Sequence, residues 1–235
     1  MKLTVKEVTH LFDVSANTIY RWIKEDGFPA YRLKERYRFN PVDILEWAIA
    51  KKVPYRPELA HMPDRDAASV EFSNSLVQAL EVGGVHYKVP NHSKASVIRA
   101  VVGRLPLPDD VDREFALQMF LARENLGSTA LGDGIAIPHP RNPLVFHVDH
   151  PLLTLCFLES PVDFDAIDRQ PVHTVFALVC PTIKSHLILL SRLAFALKDA
   201  AFRRLITARG SREDLLTRLR HLESQTMDGS RKKKT

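Results

Sequence analysis

The segment from residue 126 to residue 140 constrains the fold of this chain most, because glycines and prolines there surround a short apolar strand. It reads LGSTALGDGIAIPHP. Glycine permits positive φ angles and the close approach of another surface, whereas the two prolines restrict the backbone on both sides of the histidine. The pattern predicts turns, a strand over residues 135–137, and a histidine, His139, held so that it presents one ring nitrogen.

Length and composition predict a globular protein. The chain has 235 residues, of which 45% are hydrophobic, enough for one large domain or for a small and a medium one. No apolar run approaches the roughly 18 residues that span a bilayer, and the first residues lack the apolar core of a signal peptide. We therefore expect a cytoplasmic protein with no membrane contact.

The two cysteines, Cys156 and Cys180, each lie in an apolar, strand-like run. Free cysteine in such a setting behaves as a small hydrophobic residue. Since there are no further cysteines to supply more ligands, we expect buried free thiols, no metal site and no cofactor.

Positive charge is concentrated at the two ends of the chain. Residues 1–60 contain 11 Lys and Arg against 8 Asp and Glu, and the last ten residues contain 4 against 1. The middle of the chain is close to neutral, so we expect any contact with a polyanion to involve the ends.

A proline-rich, polar segment divides the chain. We predict a small N-terminal domain over residues 1–52, a partly extended linker over 53–68, and a larger domain over 69–225. Residues 226–235 are predicted to form a disordered basic tail, for which a merely solvated end is the alternative.

The N-terminal domain has the pattern of a helix-turn-helix. Helices are predicted over residues 5–12, 16–24 and 42–50, with a hairpin over 31–39, and polar residues open the second helix. Asn and Arg there can contact base edges, and basic hairpin residues can neutralise phosphates. The predicted DNA-binding residues are Ser15, Asn17, Thr18, Tyr20, Arg21, Lys24, Arg32, Lys34, Arg36 and Arg38.

This domain resembles the MerR/excisionase type of winged helix, including a third helix with Asp43 and Trp47. The resemblance implies binding to double-stranded DNA and, by analogy, a homodimer on paired half-sites. Trp22 and Trp47 are expected to be core residues. A small helical bundle that binds protein is the alternative.

The larger domain is predicted to be an α/β sandwich, a central mixed sheet covered by helices on both faces. Helices are predicted over residues 70–80, 94–105, 112–125, 185–198 and 211–222, and strands over 85–89, 135–137, 152–158 and 173–180. The strands over 152–158 and 173–180 consist mainly of apolar residues, as in sheets buried on both faces.

Several blocks of this domain resemble the enzyme IIA domains of the bacterial phosphotransferase system, of the mannitol/fructose and nitrogen-regulatory type. They are LARENLGST from residue 121, GIAIPH from 134, PVDFDAIDRQPV from 161, and SHL from 185. The resemblance implies that His139 carries a phosphoryl group and that His186 is the second active-site histidine. It also implies that Asp163, Asp165 and Asp168 are structural.

Other groups are expected to stabilise the phosphoryl oxygens. Arg123 and the Ser128 and Thr129 hydroxyls would supply donors, although Arg123 could instead pair with Glu124 or another carboxylate. Pro140 stands where many members of the family have glycine, which removes a backbone N–H, and Arg141 could compensate electrostatically.

The leading hypothesis is a bacterial DNA-binding regulator that is phosphorylated on a histidine by phosphotransferase-system carriers and so changes its DNA or partner binding. Its expected partners are DNA and the histidine-phosphocarrier protein or another regulatory protein. The alternatives are a phosphocarrier enzyme IIA that passes phosphate to a sugar-permease subunit, and a partner-binding regulator that is not phosphorylated. Whether the chain is an enzyme stays open between them.

Overall fold

The computed structural model describes residues 3–33, 36–62, 73–142 and 146–231. Within them the chain has a small winged helix-turn-helix unit followed by a larger α/β unit with a mixed sheet, which confirms the predicted fold class. Among these residues, no helix is long and apolar enough to cross a membrane.

The N-terminal unit contains the predicted helices and hairpin. Its elements are α1 (Val5–Phe12), α2 (Ala16–Glu25), β1 (Tyr31–Leu33), β2 (Arg36–Arg38) and α3 (Pro41–Ala50). Thr4 and Glu7 form the predicted capping box of α1, and Ser15 caps α2 by accepting a hydrogen bond from the Thr18 N–H.

An aromatic cluster holds this unit together. Trp22 and Trp47 lie with their ring centroids 5.1 Å apart, and both rings contact Phe12 and Phe28. Because both tryptophans are half-buried and pack against the hydrophobic core, they are core residues, as predicted.

The first part of the predicted linker is packed rather than extended. A 3₁₀ turn covers Pro57–Leu59, and Leu59 is fully buried. The Arg56 N–H donates to the Leu11 carbonyl at 2.8 Å, and the Tyr55 hydroxyl lies 3.0 Å from that of Ser191. Residues 53–62 thus connect the two units by contacts with both, and the linker over 53–68 stays a prediction. Residues 63–68 lie outside the described part.

The larger unit is built on a five-stranded sheet of order β3-β6-β7-β5-β4. The strands are β3 (Val85–Val89), β4 (Ala130–Gly132), β5 (Ile135–Ala136), β6 (Leu152–Val162) and β7 (Val172–Val179). β3 pairs with β6 and β5 with β7 in parallel, whereas β6–β7 and β4–β5 are antiparallel. The sheet is therefore mixed, as predicted.

Helices cover both faces of the sheet. They are α4 (Leu76–Gly83), α5 (Lys94–Val102), α6 (Arg113–Glu124), α7 (Ile183–Ala196), α8 (Ala200–Thr207) and α9 (Arg212–Arg231). Leu153, Leu155 and Phe157 of β6 pack into a core with α4, α7 and α9, while Cys156 and Leu158 pack into a second core with α5 and α6. This period of two explains why residues 152–158 of β6 are almost all apolar, since both faces are buried there.

The first of these cores continues into the winged helix. It includes Leu45 and Ala48 of α3 as well as Leu187 and Leu190 of α7, and α3 packs against α7 and β4. The two units therefore meet over an apolar surface, with α3 as the element between them.

The sequence interpretation differs from the structure at four places. It lacks β4 and α8, and residues predicted as a disordered tail continue helix α9 to Arg231. The first helix of the larger unit begins at Leu76, capped by Ser75, whereas it was predicted from residue 70. Residues 70–72 and 232–235 lie outside the described part.

Candidate functional site

His139 lies directly after the β4–β5 hairpin and is only 2% exposed. The hairpin turns at Asp133 and Gly134, both at positive φ, as a two-residue Asp-Gly loop requires. Nδ1 of His139 lies 2.7 Å from the Ile137 carbonyl oxygen. Since a carbonyl only accepts, Nδ1 carries a proton and the ring presents Nε2, in agreement with the expectation of one presented nitrogen.

His186 lies beside His139, with the ring centroids 5.0 Å apart. It lies in the first turn of α7, where its N–H donates to the carbonyl of the N-cap residue Thr182 at 3.0 Å. The side chain is fully buried, and neither ring nitrogen has a hydrogen-bond partner among the described residues. Burial lowers the pKa of His186, and the nearby Glu46 carboxylate opposes this shift.

Arg123 enters the site from the last turn of α6. One guanidinium nitrogen donates to the Gly127 carbonyl at 2.9 Å, which fixes the side chain over the loop that follows the helix. The other two nitrogens, Nε at 3.0 Å and Nη2, both donate to one oxygen of Glu46. This is the alternative role considered for Arg123, an ion pair with a carboxylate, although the pair is largely buried.

The carboxylate of Glu46 is thus at the centre of the site, and it comes from the winged helix. Its Oε1 lies 2.7 Å from Nε2 of His139 and 3.9 Å from Nε2 of His186, and Arg123 holds Oε2. The Glu46 side chain is 11% exposed. Burial opposes its ionisation, but His139, His186 and Arg123 outweigh this effect and hold the pKa of Glu46 well below its usual value.

Polar contacts surround this centre at the junction of the two units. The Arg141 guanidinium donates to the Tyr31 hydroxyl at 2.8 Å and lies 3.4 Å from Asp43 of α3. Lys52 lies 3.5 Å from Asp133 at the more exposed edge. Together with apolar residues, Tyr31, Asp43 and Arg141 line a cleft of about 500 Å³ that includes Glu46, Arg123 and His139.

The remaining predicted phosphate ligands are engaged elsewhere in this arrangement. The Ser128 hydroxyl donates to the Phe164 carbonyl, and the Thr129 hydroxyl and N–H both donate to Glu124, at 2.6 and 3.1 Å. Their hydroxyl protons are therefore used in holding the loop that precedes β4. Arg141 is directed to α3 and the hairpin of the winged helix, and the phosphate-binding role of all three stays a prediction.

Among the described residues, one group of side chains could hold a metal ion: Glu46, His139 and His186 offer ligand atoms within 4.8 Å of one another. However, the Arg123 guanidinium occupies the second oxygen of the carboxylate and would repel a cation. The donor set suits an anion at this place better than a metal.

The predicted DNA-binding residues of α2 lie mostly on the surface. Asn17, Arg21 and Lys24 are exposed. Ser15 and Thr18 share a hydrogen bond of 3.0 Å between their hydroxyls at the start of the helix.

The hairpin residues next to α2 are partly engaged within the unit. Tyr20 is 46% exposed and packs against Tyr37. The Arg32 guanidinium lies over the Tyr37 ring, 5.9 Å from its centroid. Arg38 donates to the Tyr37 carbonyl at 3.0 Å, and Arg36 is exposed. Lys34 lies outside the described residues.

Sequence reasoning missed Glu46. The available signal was its place on α3 one turn from Asp43, between Leu45 and Trp47, because an acidic residue beside core residues usually has a partner. The identity of that partner depends on how two units pack, which spacing within one helix does not reveal.

Comparisons with known proteins agree with this geometry. Residues 79–221 match the family described as phosphoenolpyruvate-dependent sugar phosphotransferase system, EIIA 2, and residues 3–52 match a helix-turn-helix domain. The chain belongs to the EIIA type-2 family. Both resemblances noted in the sequence are thereby confirmed.

The similarity to individual proteins covers the EIIA-type part. The chain is 37% identical over 132 residues to a nitrogen regulatory protein of Pseudomonas aeruginosa, which is 54% of this chain and 83% of that protein. It is 34% identical over 156 residues to one of Klebsiella oxytoca, covering 66% and 92%. The crystal structure of the nitrogen regulatory protein IIA-Ntr from Neisseria meningitidis matches with a TM-score of 0.55 and 28% identity, covering 61% of this chain and 98% of that one.

Proposed function

We propose that this chain is a bacterial DNA-binding regulator whose EIIA-type domain accepts a phosphoryl group on Nε2 of His139 and so modulates DNA or partner binding. Membership of the EIIA type-2 family and the fused helix-turn-helix support the two halves of this proposal. The observation that carries it is the convergence of His139, His186 and Arg123 on one anionic group.

The geometry fits phosphoryl transfer, which requires chiefly alignment and charge stabilisation. The proton on Nδ1 is donated to the Ile137 carbonyl, so the lone pair of neutral His139 is at Nε2. This pair attacks phosphorus in line, while the phosphorus–nitrogen bond of a phosphohistidine on the donor protein breaks and its electron pair returns to the donor's ring. Arg123 and His186 stabilise the phosphoryl oxygens.

The donor expected for this step is the histidine-phosphocarrier protein. The protein is incubated with phosphoenolpyruvate, enzyme I and that carrier, and its intact mass is measured. We expect a gain of one phosphoryl group in the parent and none in His139→Ala. No gain in the parent would contradict phosphorylation and favour the partner-binding regulator, whereas onward transfer to a permease subunit would favour the phosphocarrier enzyme.

The DNA-binding half is tested separately. Exposure of Asn17, Arg21 and Lys24 on α2 leaves these side chains available for a major groove. Selection from a random duplex library gives the preferred site, and an Arg21→Ala/Arg36→Ala variant is expected to lose it. Specific binding that is unchanged in this variant would contradict the assigned DNA-binding face.

A further inference from the structure

Glu46 stands where the proposed function needs a phosphoryl group. Its carboxylate is hydrogen-bonded by Arg123 and lies 3.9 Å from His186, the two side chains that would stabilise the phosphoryl oxygens, with Oε1 2.7 Å from the nitrogen that would be phosphorylated. A carboxylate and a phosphoryl group are both negatively charged, both offer oxygen acceptors, and both prefer guanidinium donors. Glu46 is therefore an internal anion in the pocket of the EIIA-type domain.

The contact removes the nucleophile as well as filling the pocket. Both ring nitrogens of His139 face oxygens, Nδ1 the Ile137 carbonyl and Nε2 the Glu46 carboxylate at 2.7 Å. The position from which Nε2 would attack phosphorus is therefore occupied by Oε1 of Glu46. Release of Glu46 uncovers Nε2 and so restores the nucleophile.

Docked Glu46 and a phosphorylated His139 cannot coexist. A phosphorus atom bonded to Nε2 would lie within the 2.7 Å that separates Nε2 from Oε1. A phosphoryl group also carries a charge of about −1.5 to −2, which repels a carboxylate strongly in a pocket with little water. With His139 only 2% exposed, a donor protein reaches Nε2 only after α3 has moved away.

Further polar contacts near Glu46 also join the two units. At the same cleft, Arg141 of the EIIA-type domain contacts Tyr31 and Asp43 of the winged helix. Lys52 and Asp133 form a further, exposed contact between the two units, and Asp133 also pairs with Arg203 at 3.1 Å. Because α3 carries Glu46 and also belongs to the DNA-binding unit, an event at His139 changes how that unit is held.

We propose that Glu46 is a latch: it docks the winged helix on the phosphoryl pocket, and docking and phosphorylation of His139 exclude each other. This inference rests on the proposed function and adds its regulation. The unphosphorylated chain is closed, with the winged helix held at a fixed place on the EIIA-type domain. Phosphorylation stabilises an open form in which the winged helix is free of that contact.

The rate of phosphoryl uptake tests the latch. Where about 90% or more of the molecules are docked, about a tenth accept the phosphoryl group, so release raises the initial rate about tenfold or more. We expect this increase in Glu46→Ala and a smaller one in Glu46→Gln, which keeps the shape but lacks the charge. Glu25→Ala, an exposed acidic position of α2 in the same unit, is the control and is expected to match the parent.

Two structural readouts accompany the rates. The ¹⁵N shift of the His139 Nε2 atom is expected to differ between the parent and Glu46→Ala, because Nε2 loses its carboxylate partner in the variant. Small-angle scattering is expected to show a larger radius of gyration both for Glu46→Ala and for the phosphorylated parent. Circular dichroism confirms that each variant is folded.

The outcomes separate the latch from the proposed function. Equal uptake rates in the parent and in Glu46→Ala, or an unchanged scattering profile on phosphorylation of the parent, overturn the latch and leave phosphorylation standing. If neither the parent nor any Glu46 variant takes up a phosphoryl group from a carrier that phosphorylates an isolated enzyme IIA, the proposed function fails and the latch fails with it.

Discussion

Replacing Glu46 with alanine removes the carboxylate on which Arg123, His139 and His186 converge, and the structure allows the energetic cost to be worked out. Breaking a buried ion pair by removing one partner costs about 3–5 kcal/mol when the other charge stays buried. Here the cost is lower, because Arg123 keeps its hydrogen bond to the Gly127 carbonyl and His139 keeps the one from Nδ1 to the Ile137 carbonyl. We expect a loss of about 2–3 kcal/mol at pH 7.

The position of the tryptophans gives an assay that assigns this loss to one unit. Trp22 and Trp47 are the only tryptophans of the chain, and both lie in the winged helix. Tryptophan fluorescence during urea unfolding therefore reports that unit, whereas far-ultraviolet circular dichroism reports both. In Glu46→Ala we expect the fluorescence transition to move to lower urea and to separate from the main circular-dichroism transition, because the units are no longer coupled.

Added phosphate discriminates an emptied anion pocket from simple damage. If phosphate binds the emptied pocket with a Kd of about 10 mM, 100 mM phosphate stabilises the EIIA-type domain of Glu46→Ala by about 1.4 kcal/mol. It should do little for the parent, where Glu46 fills the pocket. The reasoning is refuted if Glu46→Ala unfolds within about 0.5 kcal/mol of Glu25→Ala, or if phosphate stabilises the parent equally.

Three further predictions concern the fold. Burial raises the pKa of Cys156 to about 12 and that of Cys180 further, so neither thiol should react with iodoacetamide at pH 8 until urea unfolds the protein; mass spectrometry checks this. Gly134→Ala should cost about 2 kcal/mol or more in urea unfolding, since φ is +72° there and a Cβ would lie 2.4 Å from the ring of His173. Hydrogen bonds from Arg218 and the start of α8 lower the pKa of Asp199 from 3.8 to about 2, so its contribution to stability is present above pH 4 and is lost as the pH falls toward 2. The urea midpoint of Asp199→Asn, which keeps the cap, should therefore lie below that of the parent at pH 7 and approach it in acid; a constant difference would contradict this.

The sequence carried enough information for each unit but little for their junction. Helices α1, α2 and α5 begin where Ser, Thr and Glu caps indicate, and β6 is recognisable because both of its faces are buried. Strand β4 could have been found from the Asp133-Gly134 pair, which is the residue choice for a two-residue hairpin loop. Glu46 could not, because its partners lie 77 and 93 residues away along the chain, in another unit.

Pro140 and Arg141 follow His139, and Pro140 is a departure from the family's pattern. Pro140 takes away a backbone N–H that could have contacted phosphate, and Arg141 was expected to replace it. In the docked arrangement Arg141 instead donates to Tyr31 and lies beside Asp43, so the same residue supports the closed form.

The two roles of Arg141 predict opposite signs in one experiment. If Arg141 chiefly holds the winged helix, an exposed pair worth about 0.5–1 kcal/mol is lost in Arg141→Ala, and phosphoryl uptake by His139 becomes about two- to fivefold faster. If it chiefly binds phosphate, uptake becomes slower. Measuring Arg141→Ala in the Glu46→Ala background isolates the second role, because docking no longer limits the rate there. We expect faster uptake in the parent background and little change in the Glu46→Ala background; slower uptake in both would show that Arg141 belongs to the phosphoryl pocket.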